Sequence, residues 1–585
     1  MTDKTSSAKA SADAGFDHDP ACDFAPDVIV VGAGLAGMVA AFEAQKAGAR
    51  VLVVDQENAA NRGGQAFWSL GGLFLIDTPE QRRLGIHDSL ELARHDWFGS
   101  AGFDRAEDHW PRRWAEAYLE FAHHKKRAYL RELGLRTIPM AGWAERGDST
   151  ADGHGNSVPR FHVTWGTGPE VVRVFDEPLR AAEQQGTVRF EHRRRVDQVI
   201  VEGGQVAGVR GAKLIECDEL ERGVASPREE TGTFEYRAPA VLIATGGVGG
   251  NLEAVRRCWP EDRLGPMPAD DQMVVGVPAH VDGRGIEIAE AAGAHLVNRD
   301  RMWHYTEGMM NWDPIWPGHG IRIIPGPSAM WFDAEGERLP VPLIPGADTV
   351  KTMTHILATG HTYSWFVLDK TIVGKEFLFS GSEQNPDLTD KDLRKLVGKL
   401  TSGVDEPIRK FMDNGEDWVV ADTLEELVAG MNATAREADP QAPELDVERL
   451  RAQFEARDTQ MANNFAKDYQ ANVVNATRRY LGDKFARTAA PHRLLDPGHG
   501  PLIAVRLRLL TRKTLGGIEP DLGGRALPLG GEPLPGLYAA GEASGFGGGG
   551  MHGNNALEGT FLGGCIFSGL TAGRAMAEAA REARG

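Results

Sequence analysis

The stretch DVIVVGAGLAGMVAAFEAQKAGARVLVVDQ, residues 27–56, constrains the fold more than any other part of the chain. It contains, in order, a β-branched apolar run, a Gly-x-Gly-x-x-Gly turn, an alanine-rich helical pattern and a second apolar run that ends at an acid. Continuous apolar runs are typical of buried parallel strands, and parallel strands need a crossover connection such as a helix. The sequence therefore predicts an α/β fold.

The glycines and the acid of this unit predict a dinucleotide site. Gly32 makes the tight turn, Gly34 lets the backbone approach a pyrophosphate, and Gly37 allows the helix to pack closely on the strand. The helix N-terminus offers unpaired N–H groups to the phosphates. We expect Asp55, about 20 residues after the first glycine, to accept a hydrogen bond from a ribose hydroxyl. The candidate contacts in this unit are Gly32, Gly34, Ala36, Gly37, Asp55 and Gln56.

Charge and hydropathy limit the partners of the chain. The net charge of −19 over 585 residues disfavours nucleic acid and anionic membranes as main partners. No apolar run approaches the roughly 20 residues of a membrane span. Residues 1–24 lack the apolar core of an export signal and are predicted to form a disordered leader. The four cysteines are far apart, so we expect them to be reduced and the protein to be cytoplasmic. No residue spacing typical of a metal site occurs, so no metal is expected.

Six motifs in a fixed order carry a family resemblance. They are VGAGLAG (31–37), RGGQAFWSLGGL (62–73), LIATGG (242–247), DGRGIEIAEAAGA (282–294), KTLGGI (513–518) and AAGEASGFGGGGMHG (539–553). Together they resemble the flavoprotein superfamily of fumarate reductases and succinate dehydrogenases. Within it, the sequence is most similar to the branch of 3-ketosteroid dehydrogenases and related FAD-binding dehydrogenases. The resemblance covers about residues 25–300 and 490–580.

The resemblance implies a Rossmann-like FAD-binding domain built from two chain segments, with an inserted α+β capping domain. The segments of the FAD-binding domain would be residues 25–296 and 491–585, and the capping domain would span residues 297–490. A second complete Gly-x-Gly-x-x-Gly unit with its acid is absent from the sequence. A separate NAD(P)H-binding domain is therefore not expected.

The same resemblance implies a set of FAD contacts beyond the first unit. A loop after the first unit would pass beside the pyrophosphate and flavin, and the start of a helix near the C-terminus would face the flavin pyrimidine. The additional implied contacts are Gly64, Gln65, Ser69, Gly71, Gly72, Val196, Ala244, Thr245, Gly246, Gly541, Glu542, Gly559, Thr560 and Phe561. Some relatives attach FAD through a histidine before the Gly-Gly loop, whereas this chain has Asn61, Arg62 and Gly63 there. Non-covalent FAD is therefore expected.

The substrate side departs from the pattern of the dicarboxylate reductases. Ala556 stands where those enzymes have an arginine that clamps a substrate carboxylate, and Lys513 replaces their histidine. In the segment that corresponds to their catalytic arginine, residues 336–355, Arg338 is the sole arginine. The resemblance therefore argues against fumarate or succinate as the substrate.

The ketosteroid dehydrogenase branch fits better but not completely. Its members polarise a ketone with a tyrosine and a glycine N–H four residues apart; Gly559 matches the glycine, while Asn555 stands in place of the tyrosine. The segment RMWHYTEGMMNWDPIWPGHG, residues 301–320, could supply the proton donor or acceptor. Its tryptophans and methionines either line an apolar pocket or pack between cap and core. The catalytic candidates are Tyr305, His304, Lys513, Asn555 and His552.

These features together predict an FAD-dependent oxidoreductase. Hydride would pass between flavin N5 and a CH–CH or C=C bond next to a carbonyl, in a small apolar substrate such as a 3-ketosteroid or another enone. Two alternatives stay open at this point: a dicarboxylate reductase with altered anchors, and a non-catalytic flavoprotein or electron carrier. The sequence does not identify the electron acceptor.

Overall fold

The computed structural model describes residues 24–463 and 465–584. The predicted leader lies outside the described residues except for Phe24. The ring of Phe24 is buried and packs against the guanidinium of Arg50, 4.4 Å from the ring centroid.

The strands follow the chain in this order: β1 Val28–Val31, β2 Val51–Val54, β3 Gly72–Phe74, β4 Thr137–Gly142, β5 Phe161–Thr164, β6 Val188–Glu191, β7 Arg194–Glu202, β8 Gln205–Leu214, β9 Glu230–Arg237, β10 Ala240–Ile243, β11 Met273–Val275, β12 Leu296–Val297, β13 Met302–Met310, β14 Gly320–Ile324, β15 Met330–Asp333, β16 Tyr363–Asp369, β17 Leu378–Phe379, β18 Trp418–Ala421, β19 Leu502–Thr514, β20 Gly517–Ile518 and β21 Leu537–Ala539.

The α-helices are α1 Leu35–Lys46, α2 Pro79–Arg83, α3 Leu90–Ala101, α4 His109–His124, α5 Lys126–Glu132, α6 Thr167–Gln184, α7 Leu252–Cys258, α8 Glu261–Leu264, α9 Arg284–Ala291, α10 Thr349–Ala358, α11 Lys370–Glu376, α12 Pro386–Thr389, α13 Leu393–Ser402, α14 Glu406–Asn414, α15 Leu424–Ala438, α16 Val447–Met461, α17 Tyr469–Thr477, α18 Leu481–Ala486 and α19 Thr560–Arg584. Within the described ranges, no helix is both long enough and apolar enough to cross a bilayer.

A parallel sheet forms the base of the molecule. Its strand order in the described residues is β21-β10-β1-β2-β6, and every pair is parallel. All four valine and isoleucine side chains of β1 are buried, as expected for a strand covered on both faces. Since β21 comes from the C-terminal part of the chain and pairs with β10, two chain segments build this sheet. The predicted α/β class is confirmed.

Helices α1 and α19 cross on one face of the parallel sheet at very short distance. A Cβ atom at Gly569 or Gly573 of α19 would overlap backbone atoms of Ala36 or Ala40 in α1. The small residues therefore let the two backbones touch, and this contact holds the start of α19 above the carboxyl ends of the strands. The opposite face is covered in part by the antiparallel sheet β7-β8-β9.

A second, larger sheet has its own hydrophobic core. Its order is β15-β16-β19-β13-β14-β17, with β11 and β18 also paired to β19. Buried residues such as Trp365, Phe366 and Phe411 fill the space between this sheet and helices α11, α14 and α15. Strand β19 is central to this sheet although it belongs to the chain region predicted as the second FAD-binding segment, 491–585. The exact domain boundaries stay a prediction.

Candidate active site

A continuous cavity connects the parallel sheet to the second sheet. One end lies at the carboxyl ends of β1 and β2, where Asp55 and Val196 form part of the wall. The other end is lined by Tyr305 of β13, Arg322 of β14 and Arg512 of β19. Ligands of open α/β sheets bind at this edge of the sheet, outside the carboxyl ends of the strands.

The turn between β1 and α1 fits a dinucleotide. Gly32 has φ of +104°, and a Cβ atom there would lie 2.6 Å from the Ala244 carbonyl oxygen, so only glycine fits. At Gly34 the nearest atom to a Cβ would be 3.9 Å away, which leaves room for a phosphate against the backbone. The Asp55 carboxylate is held at the end of β2 because it accepts hydrogen bonds from the backbone N–H groups of Ala33 (2.6 Å) and Glu57 (2.8 Å).

Most of the residues predicted to contact FAD line this one cavity. Three of the predicted set do not: Gly37 packs against Gly32 where α1 crosses β1, Gly71 packs against Thr167, and the Thr560 hydroxyl points to His552 (2.9 Å). The Thr245 hydroxyl is buried without a protein partner at the cavity wall. The predicted contacts that line the cavity are Gly32, Gly34, Ala36, Asp55, Gln56, Gly64, Gln65, Ser69, Gly72, Val196, Ala244, Thr245, Gly246, Gly541, Glu542, Gly559 and Phe561.

The glycine-rich segment before α19 brings that helix to the cavity. Gly559 has φ of +82°, and a Cβ atom there would lie 2.8 Å from the backbone nitrogen of Phe74. The Phe74 N–H also donates to the Gly559 carbonyl oxygen at 2.8 Å, which fixes the turn. Helix α19 therefore begins at the cavity wall, where the unpaired N–H groups of its first turn can stabilise negative charge.

A polar chain lies in the middle of the cavity. Gln65 donates to Glu542 and accepts a hydrogen bond from the Lys513 ammonium. The other oxygen of Glu542 accepts from the backbone N–H of Thr514 at 2.9 Å. Burial lowers the pKa of Lys513, although the Glu542 carboxylate, 4.0 Å away, opposes this effect. This chain ties the end of β19 to the loop that follows β21.

A buried ionic cluster closes the far end of the cavity. The Arg322 guanidinium donates to Glu558 (2.9 Å) and Glu145 (3.2 Å) and lies over the ring of Tyr305, 3.6 Å from its centroid. The Tyr305 hydroxyl donates to the same Glu558 oxygen at 3.3 Å. Burial opposes the charge of Arg322, but the surrounding acids, Glu558 first, raise its pKa. Burial, and next the charge of Glu558, raises the pKa of Tyr305 well above its usual value.

Arg512 also lines the far end of the cavity. Unlike Arg322, Glu558 and Tyr305, it has no partner in the described part of the chain. No hydrogen bond or ion pair of its guanidinium is formed with a described residue, and its side chain is half-buried against the cavity. The stem passes close to Gly276, where a Cβ atom would lie 3.0 Å from Arg512 Cδ. Burial lowers the pKa of Arg512, against the opposing charge of Tyr305.

Comparisons with known proteins agree with this geometry. The FAD binding domain family matches residues 27–562. A KsdD-like steroid dehydrogenase of Mycolicibacterium smegmatis is 59% identical over 92% of this chain and 96% of its own length. Another KsdD-like steroid dehydrogenase, from Mycobacterium tuberculosis, is 59% identical over 94% of this chain and 96% of its own length.

The chain belongs to the FAD binding domain family. This membership confirms FAD as the cofactor, the predicted flavoprotein superfamily and the class of FAD-dependent dehydrogenase. A crystal structure of 3-ketosteroid delta1-dehydrogenase from Sterolibacterium denitrificans, in complex with 1,4-androstadiene-3,17-dione, has the same fold, with a TM-score of 0.66 and 16% identity over 95% of this chain and 99% of that one.

In this flavoprotein only two of the five catalytic candidates, Tyr305 and Lys513, line the cavity. His304 points the opposite way from Tyr305, because neighbouring side chains of a strand alternate, and stacks on Trp259. Burial lowers the pKa of His304 to about 4 and that of His552 to about 3. His552 stacks on Trp97, and the Asn555 amide donates to the Ser100 carbonyl (3.0 Å). The structure thus brings none of these three to the cavity.

The tryptophans and methionines of residues 301–320, unlike Tyr305, pack in the protein interior and do not line the cavity. Trp303 and Met310 pack in the core of the parallel sheet, and Met309 packs in the core of the second sheet. The Trp316 indole donates to the Val275 carbonyl (3.0 Å). Of the two alternatives given for these tryptophans and methionines, packing is the one that the structure favours; apolar parts of the cavity wall come from Leu70, Ala144, Phe161 and Ile324.

The residues that sequence reasoning missed are the charged ones of the far end. Arg322 lies in GIRII, a strand whose five residues are all buried, and a charge inside such a run is a signal of a buried ionic site. Arg512 is one of the arginines in RLRLLTRKT, and Glu558 comes two residues after Ala556, the position compared with the dicarboxylate reductases. The pairing of Arg322 with Glu558 joins positions 236 residues apart, which no local pattern predicts.

Proposed function

We propose that this enzyme moves hydrogen across a CH–CH bond next to the carbonyl group of a small, apolar, steroid-like substrate. Relatives that are 59% identical over nearly the full length are named steroid dehydrogenases, which supports a substrate of this class. The structural observation that carries the proposal is Tyr305, which lines the cavity and hydrogen-bonds to a buried carboxylate. When bound, FAD supplies the hydride acceptor or donor at its flavin N5.

The proposed role of Tyr305 is to move the proton of this reaction. In dehydrogenation, one carbon gives up a hydride and the adjacent carbon loses a proton to the Tyr305 oxygen, while Tyr305 passes its own proton to Glu558. In the reverse direction the proton returns along the same path. A positioned acid or base of this kind contributes about 10²- to 10⁴-fold to a rate.

The groups around Tyr305 suit this role. Because its pKa is raised, Tyr305 holds its proton near neutral pH until a reaction step removes it. The Arg322 guanidinium over the ring, 3.6 Å from the centroid, stabilises negative charge as it develops on the phenolic oxygen. Arg322 also holds Glu558 at 2.9 Å, within reach of the Tyr305 hydroxyl.

The walls of the cavity suit a flat apolar body. Phe161 and Ile324, with Leu70 and Ala144, line it beside the polar far end. Cofactor sites of this composition bury most of a ligand against apolar side chains and orient it with a few polar groups. We further propose that the cavity-lining members of the predicted set hold FAD, with the turn of Gly32 and Gly34 at its pyrophosphate.

The test is an anaerobic titration of the purified FAD-loaded protein with a saturated 3-ketosteroid, followed by the flavin absorption band. We expect bleaching of the band in the wild type and a rate about 10²- to 10⁴-fold lower for Tyr305→Phe. Tyr363→Phe is the matched control, because the Tyr363 hydroxyl has no hydrogen-bond partner in the described part of the chain and Tyr363 lies in the second sheet, outside the cavity lining. Reoxidation of the reduced protein by fumarate, without any response to steroids, would contradict the proposal.

A further inference from the structure

Arg512 brings to the far end of the cavity a guanidinium that forms no hydrogen bond or ion pair within the described residues. Its guanidinium meets no acceptor among the described residues, while Arg322, the neighbouring cation, already holds Glu558 and Glu145. A cation at a partly buried cavity wall gains from a hydrogen-bond acceptor, and arginine is the side chain that best matches a carboxylate with two parallel hydrogen bonds. The position is thus arranged to receive an anion from outside the protein.

The acids near Arg512 do not pair with its guanidinium. Glu145 is held by the Arg322 guanidinium at 3.2 Å, and Glu383 lies 3.7 Å from His319; neither forms a hydrogen bond or ion pair with Arg512 in the described residues. Glu558 is engaged by Arg322 and Tyr305. Lys513, the residue after Arg512, is instead engaged in the middle of the cavity, where it donates to Gln65.

The phosphates of FAD are not the natural partner of Arg512. The groups whose charges act on its guanidinium are Tyr305, Arg322, Glu383 and Glu558, all of the far end. The turn of Gly32 and Gly34, which fits a pyrophosphate, lies at the carboxyl end of β1 at the other end of the cavity. The anion at Arg512 therefore belongs to the substrate.

We propose that the substrate carries a carboxylate, which binds the guanidinium of Arg512, in addition to the apolar carbonyl body that the rest of the cavity accepts. This inference rests on the proposed function and narrows its substrate class to an amphipathic keto acid. The carboxylate would pair with the charge at Arg512, and the apolar body would lie against Phe161 and Ile324. A neutral substrate of the same shape would leave Arg512 unpaired in the complex.

The test compares 3-oxoandrost-4-en-19-oic acid, whose carboxylate is attached to the A ring close to the carbonyl, with its methyl ester, which lacks the charge. Each is titrated into the oxidised FAD-loaded protein at pH 7, and its Kd is obtained from the perturbation of the flavin absorption spectrum. We expect the acid to bind about 10- to 100-fold more tightly than the ester, the range of charge-assisted hydrogen bonds. In Arg512→Gln the two Kd values should become equal.

Two further variants separate this role from a structural one. Arg512→Lys keeps the charge but loses the planar fork, and should retain part of the preference for the acid. Arg299→Gln removes an arginine that lies half exposed on the surface beside Glu290 (3.2 Å). This variant should keep the full preference for the acid over the ester. If Arg512→Gln does not yield folded protein, the acid and ester comparison on the wild type still decides.

The outcomes are distinct. Equal Kd values for acid and ester in the wild type would overturn the carboxylate site and leave the proposed function standing. The carboxylate site would also be overturned if Arg512→Gln changed the flavin midpoint potential but still bound the acid more tightly than the ester. Arg512 would then act on the cofactor and not on the substrate. If the protein bound fumarate but neither steroid, the proposed function would be overturned. The proposal of a keto acid substrate would then fail as well, because it rests on that function.

Discussion

The substitution His304→Phe tests the placement of this histidine by a change in the pH dependence of stability. His304 is 1% exposed and stacks on Trp259 at 5.4 Å between centroids, and among the described residues neither ring nitrogen has a hydrogen-bond partner. Burial lowers its pKa to about 4. Phenylalanine keeps the stacked ring and removes both unpaired nitrogens, so we expect no loss of stability at pH 7.5.

The sign of the effect follows from the two protonation states. In the unfolded chain the histidine takes up a proton near pH 6.5, whereas in the folded protein His304 does so only near pH 4. Between these values the unfolded state binds more protons, so the folded protein with His304 becomes less stable than it is above pH 6.5 as the pH falls towards 4. At pH 5 the loss amounts to about 2 kcal/mol.

The assay is denaturant unfolding of the FAD-loaded wild type and of His304→Phe at pH 7.5 and pH 5.0. Between pH 7.5 and pH 5.0, the free energy of unfolding of the wild type should fall by about 2 kcal/mol more than that of the variant. Other buried histidines contribute equally to both proteins and cancel in the comparison. The rate of flavin reduction by substrate should be unchanged in the variant, because His304 does not line the cavity. Identical pH profiles, or a folded variant with lost activity, would refute the reasoning.

Two further substitutions test the turn and the ionic cluster. Gly37→Ala places a Cβ atom on the Gly32 carbonyl, so the purified protein should contain little FAD by its absorption ratio, whereas Gly99→Ala, with no atom within 4 Å of its Cβ, should contain the normal amount. Arg322→Met should lower the free energy of unfolding by about 3–5 kcal/mol, because it leaves the Glu558 carboxylate buried without its partner. Adding Glu558→Gln removes that charge and should restore part of the lost stability. Additive costs in this double-mutant cycle would contradict the pairing.

The sequence predicted those parts of the cofactor cavity that local patterns encode. The order of strand, glycines, helix, strand and acid in residues 27–56 corresponds to β1, α1 and β2, with Asp55 directly after β2. The unit of residues 27–56 depends on backbone sterics and short-range order, which a sequence records directly. Gly559 and Phe561, by contrast, were implied by the family resemblance, and both line the cavity.

The substrate end could not be predicted in the same way. Tyr305 and His304 are adjacent and both suited to proton transfer, and only the pairing of β13 decides which of them faces the cavity. The structure pairs Tyr305 with Leu510 across β13 and β19, with register irregularities on either side of Tyr305. A shift by one residue would exchange the two side chains, so the answer depends on tertiary packing that no periodicity in the sequence reveals.

The pairing of β13 with β19 also explains why the chemistry of the far end depends on the second sheet. One antiparallel ladder carries Tyr305 on one strand and Arg512 and Lys513 on the other, and its neighbour β14 carries Arg322. The next residue, Thr514, donates its N–H to Glu542, so β19 reaches from the core of the second sheet to the loop beside α19. Any change that moves this ladder relative to the parallel sheet displaces Tyr305 and Arg512 together. Substitutions in the core of the second sheet are therefore expected to alter proton transfer and substrate binding jointly.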